Sequence, residues 1–249
     1  MKKWYLITGA SSGIGYAVSK RMLDNSKELS CNLILIGGKN IEKLNKLLKD
    51  YETESFAVQM DFRQLAEIED FFEKEKRLKQ MKLSGFIHCA GISPLQTIDQ
   101  LDIMTLQETF SVNYFSFMAI MKYFSRPEYS EDGARVLALS SIAVGSCGRR
   151  QSIYAASKAA LENSIRYLAF GLVQRQITIN GIALGCVETE MFQKLCEESY
   201  NLREYTYEQQ RLGILPMDIV TNFIIDFLLA EEKGYMTGSI VEVNGGRFS

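Results

Sequence analysis

The fold is decided by residues 4–15, which read WYLITGASSGIG. A short apolar run ends at closely spaced glycines, and an amphipathic pattern begins directly after them at Ile14. Gly9 permits a tight turn, Gly13 allows the backbone to approach a phosphate, and Gly15 lets a helix pack close to the strand. The free N–H groups of a first helical turn also stabilise negative charge. The stretch therefore predicts a strand–turn–helix unit that binds a pyrophosphate, and the alternative is a simple strand-to-helix turn.

The same alternation of apolar runs and helical patterns continues through the chain. The later apolar runs lie at 33–36, 56–58, 86–87, 136–139, 177–182 and 240–243. Continuous apolarity is typical of strands that are buried on both faces of a parallel sheet. Between them, apolar residues recur at helical spacing, as at Ile14, Val18 and Met22, and the charged stretch 67–82 reads as a solvated helix face. The sequence predicts an α/β Rossmann fold with a doubly wound, mostly parallel, seven-stranded sheet and helices on both faces.

Composition sets broad limits on the class of protein. The 249 residues, 47% of them hydrophobic, can bury one sizeable core, and no linker is rich in Pro, Gly or Ser, so we expect one domain over 1–249. The net charge of −2 gives no basic surplus for nucleic acid or an anionic membrane. The most apolar late stretch, Ile219–Ala230, is interrupted by polar residues and reads as a core-facing helix. We expect a soluble, cytoplasmic protein without nucleic-acid or membrane partners.

Cysteine and histidine usage argues against a metal site. The five cysteines are an odd number without paired metal spacing, which is typical of reduced thiols in a cytosolic protein. The single histidine, His88, has no second histidine to join it as a ligand. We interpret His88 as a hydrogen-bonded structural group.

One late segment, residues 192–212, interrupts the regular alternation. Its central part, Gln193–Arg211, is polar and charged, contains tyrosines, and has no buried-strand pattern. A long excursion at this place predicts a substrate lid. A solvated pair of surface helices is the alternative.

Several motifs resemble those of the short-chain dehydrogenase/reductase family. The length of the chain, 249 residues, also corresponds to the main branch of that family. Residues 8–15 have its Thr-Gly-x-x-x-Gly-x-Gly pattern, and Tyr154 with Lys158 forms its Tyr-x-x-x-Lys pattern. Ser141 lies thirteen residues before Tyr154, in the usual place of the family's catalytic serine, and Asn113 matches its helix asparagine. The resemblance implies a Rossmann-fold oxidoreductase that uses a nicotinamide dinucleotide.

Weaker matches extend the resemblance as far as Gly246. His88-Cys89-Ala90-Gly91 stands where the family has Asn-Asn-Ala-Gly, and it keeps the small residues beside which a ribose lies. Residues 180–189 resemble the segment after the sixth strand, although Leu184 replaces a usual proline. Residues 235–238 and 243–246 resemble the C-terminal strand region.

The resemblance implies a catalytic set of Asn113, Ser141, Tyr154 and Lys158. Tyr154 and Lys158 are four residues apart and share one helix face. A nearby ammonium and the positive ring of an oxidised cofactor lower the pKa of a phenol, so that it can exchange a proton with a carbonyl or alcohol oxygen. Ser141 is implied to bind the substrate oxygen, Lys158 the nicotinamide ribose, and Asn113 a water that joins Lys158 to solvent. By spacing alone, each of these residues also fits a structural role.

Cofactor-binding residues follow from the loop and from the resemblance. They are Gly9, Ser11, Ser12, Gly13, Ile14, Gly15, Lys39, Asp61, Phe62, Ala90, Gly91, Tyr154, Lys158, Val187 and Thr189. After the second strand, an acidic residue selects NAD and a basic residue accommodates the 2′-phosphate of NADP. Residues 36–40 read IGGKN, where Gly38 leaves space and Lys39 supplies the charge. We expect NADP to be preferred, while NAD stays possible.

The expected activity is reduction of a small ketone or aldehyde to an alcohol, or the reverse. A 3-oxoacyl-carrier-protein reductase is the alternative within this class. A non-catalytic dinucleotide sensor or scaffold is the alternative from another class, and three intact catalytic side chains speak against it.

The helix that carries Tyr154 is apolar on several sides, with Ala155, Ala156, Ala159, Ala160 and Leu161. A helix that is apolar beyond one stripe needs a second partner. Relatives in the family pair through this helix, so we expect a homo-oligomer, either a tetramer or a dimer.

Overall fold

One parallel sheet forms the centre of the molecule. The computed structural model describes residues 2–38, 40–146, 150–230 and 234–247. Within these ranges, seven parallel strands lie in the order β3-β2-β1-β4-β5-β6-β7. The strands are β1 (Lys3–Thr8), β2 (Cys31–Gly37), β3 (Phe56–Gln59), β4 (Leu83–His88), β5 (Ser130–Ser141), β6 (Thr178–Leu184) and β7 (Ile240–Val243). The predicted doubly wound Rossmann sheet is confirmed.

Helices connect the strands and cover both faces of the sheet. They are α1 (Gly13–Asp24), α2 (Ile41–Lys49), α3 (Ala66–Lys74), α4 (Leu78–Met81), α5 (Ile103–Phe110), α6 (Ser116–Phe124), α7 (Ser152–Leu172), α8 (Glu190–Glu198), α9 (Leu202–Gln209) and α10 (Met217–Leu229). One core layer joins α3, α6 and α7 to the sheet, and the other joins α1, α2 and α10. The continuous apolar strands supply side chains to both layers, which is why they do not alternate with polar residues.

Of two predicted helical stretches, one is interrupted in the structure and the other falls within a single helix. The charged stretch 67–82 is divided into α3 and α4, because the chain leaves helical geometry at Glu75, whose carboxylate accepts hydrogen bonds from Arg77. The stretch 219–230 falls largely within α10, which packs against α1 as a core helix. No helix in the described part of the chain has the length and apolarity needed to cross a membrane.

The strand order places a crevice at the carboxyl ends of β1 and β4. The chain winds outward in opposite directions from β1, and ligands of open parallel sheets bind where the winding reverses. Thr8 and His88 lie opposite each other at this point, and Ser141 lies opposite Leu184 two strands further along. The topology thus gathers the ends of four strands at one edge of the sheet.

Candidate active site

The glycine loop between β1 and α1 is too tightly packed for larger residues. Gly9 has a φ of +64°, and a Cβ at this position would lie 2.8 Å from the backbone nitrogen of Ala90. A Cβ on Gly15 would lie 2.3 Å from the carbonyl oxygen of Gly9. Glycine is therefore required at both positions, for a left-handed turn and for close backbone packing.

The first turn of α1 is open to an anion. Ser12 precedes the helix in an extended conformation and makes no side-chain capping hydrogen bond, and no acidic residue lies in the first turn. The first N–H groups of a helix have no partner within the helix and carry partial positive charge. This end of α1 can therefore accept a phosphate group.

A cavity of about 1050 Å³ extends from the loop along the ends of β2, β3 and β4. Its wall includes the predicted residues Gly9, Asp61, Phe62, Ala90 and Gly91. At Gly38, which also lines the cavity, a Cβ would meet only the carbonyl oxygen of Met60 at 3.9 Å, so space remains beside the end of β2. The volume and shape suit the adenosine half of a dinucleotide.

Arg63 is a cavity residue that sequence reasoning missed. Its guanidinium forms a bidentate ion pair with Asp61, with nitrogen–oxygen distances of 2.6 Å and 2.9 Å, and it lies 3.9 Å from Glu108. The backbone N–H of Asp61 donates to the carboxylate of Glu67 at 2.8 Å. These contacts hold Asp61 at the cavity wall.

A second cavity, of about 180 Å³, lies next to the first, and Gly91 borders both. Ser141, Tyr154 and Lys158 line it together with the predicted cofactor residues Ile14, Val187 and Thr189. Ser141 stands at the end of β5, whereas Tyr154 and Lys158 lie one turn apart in the first half of α7. Strand and helix thereby bring the three predicted side chains to one wall.

The phenol of Tyr154 is held by its surroundings in the neutral form. Burial raises its pKa above the ordinary value, and a side-chain hydrogen bond with Ser141 acts in the opposite direction. The sequence predicts a lowered pKa for this phenol, because the Lys158 ammonium and the ring of an oxidised cofactor both favour the phenolate. Within the protein itself, the raising effect of burial on the pKa of Tyr154 outweighs the lowering effect of the Ser141 hydrogen bond.

Lys158 is buried and points back to the strand. Its Nζ donates to the carbonyl oxygen of Leu139 at 2.7 Å and lies 5.9 Å from the ring centre of Tyr154. Burial lowers the pKa of this ammonium to about 8. The side chain is therefore poised to titrate near neutral pH.

Asn113 lies in a π-helical turn at Ser111–Phe115, between α5 and α6. Its side chain accepts from the N–H of Ile92 at 2.8 Å and donates to the carbonyl of Ile92 and to Oγ of Ser157, both at 2.9 Å. It thus joins the loop after β4 to α7. Turns of this type recur at functional sites.

Val187 and Thr189 close the loop side of the small cavity. Val187 is buried and pairs with Leu215 in an isolated bridge, and the Thr189 hydroxyl accepts from the N–H of Phe192 at the start of α8. A Cβ on Gly13 would lie 3.9 Å from the methyl carbon of Thr189. The segment after β6 therefore reaches the glycine loop.

The remaining predicted residues have supporting positions or lie outside the description. Ser11, Ser12, Gly13 and Gly15 form the glycine turn without lining either cavity, and Asn113 lies behind Gly91. Lys39 lies outside the described residues.

The small cavity contains residues that no motif indicated. These are Cys186, Met191 and Arg247, whereas Phe192 and Leu195 reach the cavity from the predicted lid segment 192–212. Among its described lining residues, the only ionisable side chains besides thiols and the phenol are the cations Lys158 and Arg247, and no carboxylate is present. Apart from the thiols and the phenol, the described lining of the cavity therefore offers only cationic ionisable groups to a ligand.

His88 is a structural group, as predicted. It is fully buried, and its Nδ1 lies 2.9 Å from Oγ1 of Thr8. Burial lowers its pKa to about 3, so the imidazole is neutral at physiological pH. Its Nε2 has no hydrogen-bond partner among the described residues.

The comparisons with known proteins agree with the geometry. Residues 9–247 match the family described as Enoyl-(Acyl carrier protein) reductase. The 3-oxoacyl-[acyl-carrier-protein] reductase FabG of Rickettsia felis is 31% identical over 257 residues, which cover 98% of this chain and 96% of the relative. FabG of Rickettsia conorii is 29% identical over 250 residues, which cover 98% and 96%.

Solved structures share the fold at lower identity. A short chain dehydrogenase from Burkholderia cenocepacia in complex with NADP has a TM-score of 0.85 at 22% identity, with 98% of this chain and 97% of that chain covered. A short-chain dehydrogenase/reductase from Serratia marcescens has a TM-score of 0.84 at 20% identity, with the same coverage. From the family match over residues 9–247, the chain belongs to the short-chain dehydrogenase/reductase family, and the predicted Rossmann-fold oxidoreductase is confirmed.

Proposed function

We propose that this protein is an NADP-dependent oxidoreductase that interconverts a small ketone or aldehyde and the corresponding alcohol. The observation that carries the proposal is the arrangement of Ser141, Tyr154 and Lys158 on one wall of a cavity beside the glycine loop. A side-chain hydrogen bond joins Ser141 to Tyr154, and Lys158 lies one helical turn from Tyr154. A non-catalytic dinucleotide sensor needs the loop but not this proton-transferring group.

The residues present fit a nicotinamide dinucleotide. The crowded glycine turn and the uncapped start of α1 would hold the pyrophosphate, and the large cavity beside Asp61 and Phe62 would hold the adenosine. Val187 and Thr189 would border the nicotinamide, and Lys158 would bind its ribose. When bound, the cofactor supplies the hydride.

The side chains of the chain itself supply the proton transfer. The neutral phenol of Tyr154 is the proton donor to the carbonyl oxygen in the direction of reduction. Ser141 donates a hydrogen bond to the same oxygen and stabilises the negative charge that develops there. The Lys158 ammonium stabilises the phenolate that remains, and Asn113 fixes the loop against which this site is built.

A panel of ketones, aldehydes and alcohols, assayed with NADPH and NADP by absorbance at the reduced nicotinamide band, tests the activity. We expect turnover of at least one class. A protein that binds the dinucleotide but turns over no member of the panel is better explained as a sensor or scaffold. A protein partner that binds only in the presence of the dinucleotide would then decide in favour of the sensor or scaffold.

We expect NADPH to bind more tightly than NADH. Neighbours of this fold include a Burkholderia cenocepacia dehydrogenase in complex with NADP and BdcA in complex with NADPH. The open space beside Gly38 supports the expectation that a 2′-phosphate fits there. Lys39→Asp should weaken NADPH binding more than tenfold, because a charge-assisted hydrogen bond to phosphate contributes about 1.5–3 kcal/mol. Fluorescence titration with both cofactors measures this, and equal native affinities would refute the preference.

A 3-oxoacyl-carrier-protein reductase is the second candidate, because similar proteins from Rickettsia and Buchnera have that name. At 24–31% identity, the names alone do not assign the substrate. Comparison of kcat/KM for a 3-oxoacyl thioester and for a simple ketone separates the two candidates.

The charge of the small cavity favours a carbonyl compound that bears an anionic group. Arg247 lines this cavity, and no carboxylate in the described ranges forms an ion pair with it. Arg247→Met should raise the KM for an oxo acid more than tenfold, since a hydrogen bond to a charged group contributes about 1.5–3 kcal/mol. The methyl ester of the same acid is the matched control, and its KM should stay near the native value. Equal effects on acid and ester would contradict the assignment.

A homo-oligomer, a tetramer or a dimer, is supported by the exposed face of α7. Phe170 is 87% exposed and Tyr167 is 75% exposed, and Val173 continues the same face beyond the helix. Large apolar side chains in one exposed row mark an interaction surface. We expect a native oligomer at micromolar concentration by sedimentation, and Phe170→Glu should shift it to a smaller species. A native monomer would refute this proposal.

Residues 192–212, within a single domain over 1–249, are proposed as a lid over the small cavity. Phe192 and Leu195 of α8 face the cavity, and α9 is joined to the segment after β6 by the Arg203–Glu188 ion pair, with distances of 2.7 Å and 2.9 Å. These contacts favour the lid over a solvated helix pair. We also propose that the protein acts in the cytoplasm.

A further inference from the structure

We propose that Glu162 and Ser140 form a positioning pair, which keeps the Lys158 ammonium charged and holds the end of β5 against α7. The inference rests on the proposed function, because it assigns a purpose to residues beside the predicted catalytic set. Neither residue belongs to the family motifs that contain the predicted catalytic set. Both are buried, and their mutual contact is short.

Three consecutive residues of β5 are bonded to side chains of α7. The carbonyl of Leu139 accepts from Lys158 at 2.7 Å, and Oγ of Ser140 donates to Oε1 of Glu162 at 2.6 Å. Ser141 is hydrogen-bonded to the phenol of Tyr154. Ser140 lies between Leu139 and Ser141 on β5, so its bond with Glu162 holds the strand end against α7 between the two contacts that involve predicted catalytic residues. This bond fixes the register in which the Ser141 hydroxyl meets the phenol.

The charge of Glu162 acts on Lys158. The two residues are four apart on α7, so they share one helix face. The Glu162 side chain is 9% exposed, and its other oxygen lies 4.0 Å from the exposed guanidinium of Arg166. A carboxylate that is shielded from water interacts more strongly with a neighbouring cation than an exposed one does.

The other titratable groups around this site give Lys158 little opposing charge. Among the described residues they are His88 of β4, Cys89 directly after it, Tyr154 of α7 and Cys186 after β6. Arg247 lines the same cavity as Lys158, but the pKa of Lys158 is shifted by burial, Cys89 and Glu162 and not by this guanidinium. His88 is neutral, and burial raises the pKa of the Cys89 thiol to about 12. Burial lowers the pKa of Lys158, and Cys89 and, to a smaller extent, Glu162 raise it. Glu162 is thus the carboxylate that favours the ammonium form.

Two variants separate the charge of the pair from its hydrogen bond. Glu162→Gln keeps the size and an acceptor oxygen for Ser140 but removes the charge. Ser140→Ala removes the donor and leaves the carboxylate. An ammonium is present below its pKa and is lost as the pH rises through it. Removal of the Glu162 charge lowers the pKa of Lys158, so this loss should occur at lower pH.

The first measurement uses the protein without any carbonyl substrate. Trace acetylation of Lys158 with acetic anhydride, followed by peptide mass spectrometry across a pH series, reports the midpoint at which the amine becomes reactive. We expect Glu162→Gln to move this midpoint to lower pH. Ser140→Ala should move it less. Glu69→Gln, an exposed change of the same charge on α3, is the matched control and should leave it unchanged.

The second measurement is the pH profile of kcat with NADPH and the best substrate of the panel. Glu162→Gln should shift the alkaline limb in the same direction as the acetylation midpoint. Ser140→Ala should lower kcat by roughly tenfold without a comparable shift, because the strand end loses its alignment. If folded Glu162→Gln had the same midpoint of Lys158 acetylation as the native protein, the proposal would be overturned. An inactive native protein would refute the proposed function, while the acetylation series would still decide the role of Glu162.

Discussion

Replacement of Tyr154 by phenylalanine should lower kcat by about 10²–10⁴-fold, the range that general acid–base catalysis contributes. The phenol oxygen is the one group assigned to direct proton transfer, and its hydrogen bond with Ser141 also aligns the substrate oxygen. The loss should therefore lie near the upper end of that range. NADPH affinity should stay nearly native, because phenylalanine keeps the ring that lines the cavity. Steady-state kinetics and fluorescence titration measure the two effects.

Lys158→Ala provides the contrast. Its ammonium acts on the phenol and would also bind the nicotinamide ribose, so both the rate and the cofactor affinity should fall. If Tyr154→Phe retained most of the native activity, the assignment of the proton donor would be wrong, although the fold would stand. If the two variants behaved alike in cofactor binding, Lys158 would have no role in holding the ribose.

Gly15→Ala should disrupt both stability and cofactor binding. A methyl group at this position would lie 2.3 Å from the carbonyl oxygen of Gly9 and 3.1 Å from Cβ of Cys89, so the loop must move. Overpacking of this kind costs about 1–3 kcal/mol of unfolding free energy. Because the displaced backbone is the proposed phosphate cradle, NADPH affinity should fall more than tenfold.

Gly171→Ala is the matched control for that change. Gly171 lies inside α7, and a Cβ there would meet nothing within 4 Å. Alanine at this position should stabilise the protein by roughly 0.5–1 kcal/mol through helix propensity. Urea denaturation of both variants gives the comparison. A Gly15→Ala protein with native stability and native NADPH affinity would show that the loop tolerates a side chain.

Some features of the fold and the site could be predicted because they depend on local sequence. The glycine turn at 9–15 needs conformations and contacts that only glycine allows, so its spacing, together with the strand before it and the helix after it, predicted a phosphate loop. The buried strands were visible because both of their faces require apolar residues. Tyr154 and Lys158 share a helix face by spacing, and the structure places both at the cavity with Ser141.

Other features depend on contacts between distant segments and had no local pattern. Arg247 reaches the cavity from the end of the chain, and Arg63 and Glu162 became visible only when their partners were placed. The direction of the Tyr154 pKa could not be read from residue types, because it depends on how much water the surrounding side chains exclude. The break in the stretch 67–82 lies at Glu75, where the backbone leaves helical geometry, and helical periodicity does not detect it.

The pairing of β1 with β4 has a consequence for how the protein is made. Gly9 lies against the backbone of Ala90, more than eighty residues later in the chain. A ribosome must therefore translate and release the fourth strand before the first nine residues can adopt their final packing. Strands so far apart in sequence pair slowly, because the intervening chain must lose conformational entropy before the contact between them stabilises the fold. During synthesis, the nascent chain should remain unable to recognise a dinucleotide until its first half has left the exit tunnel.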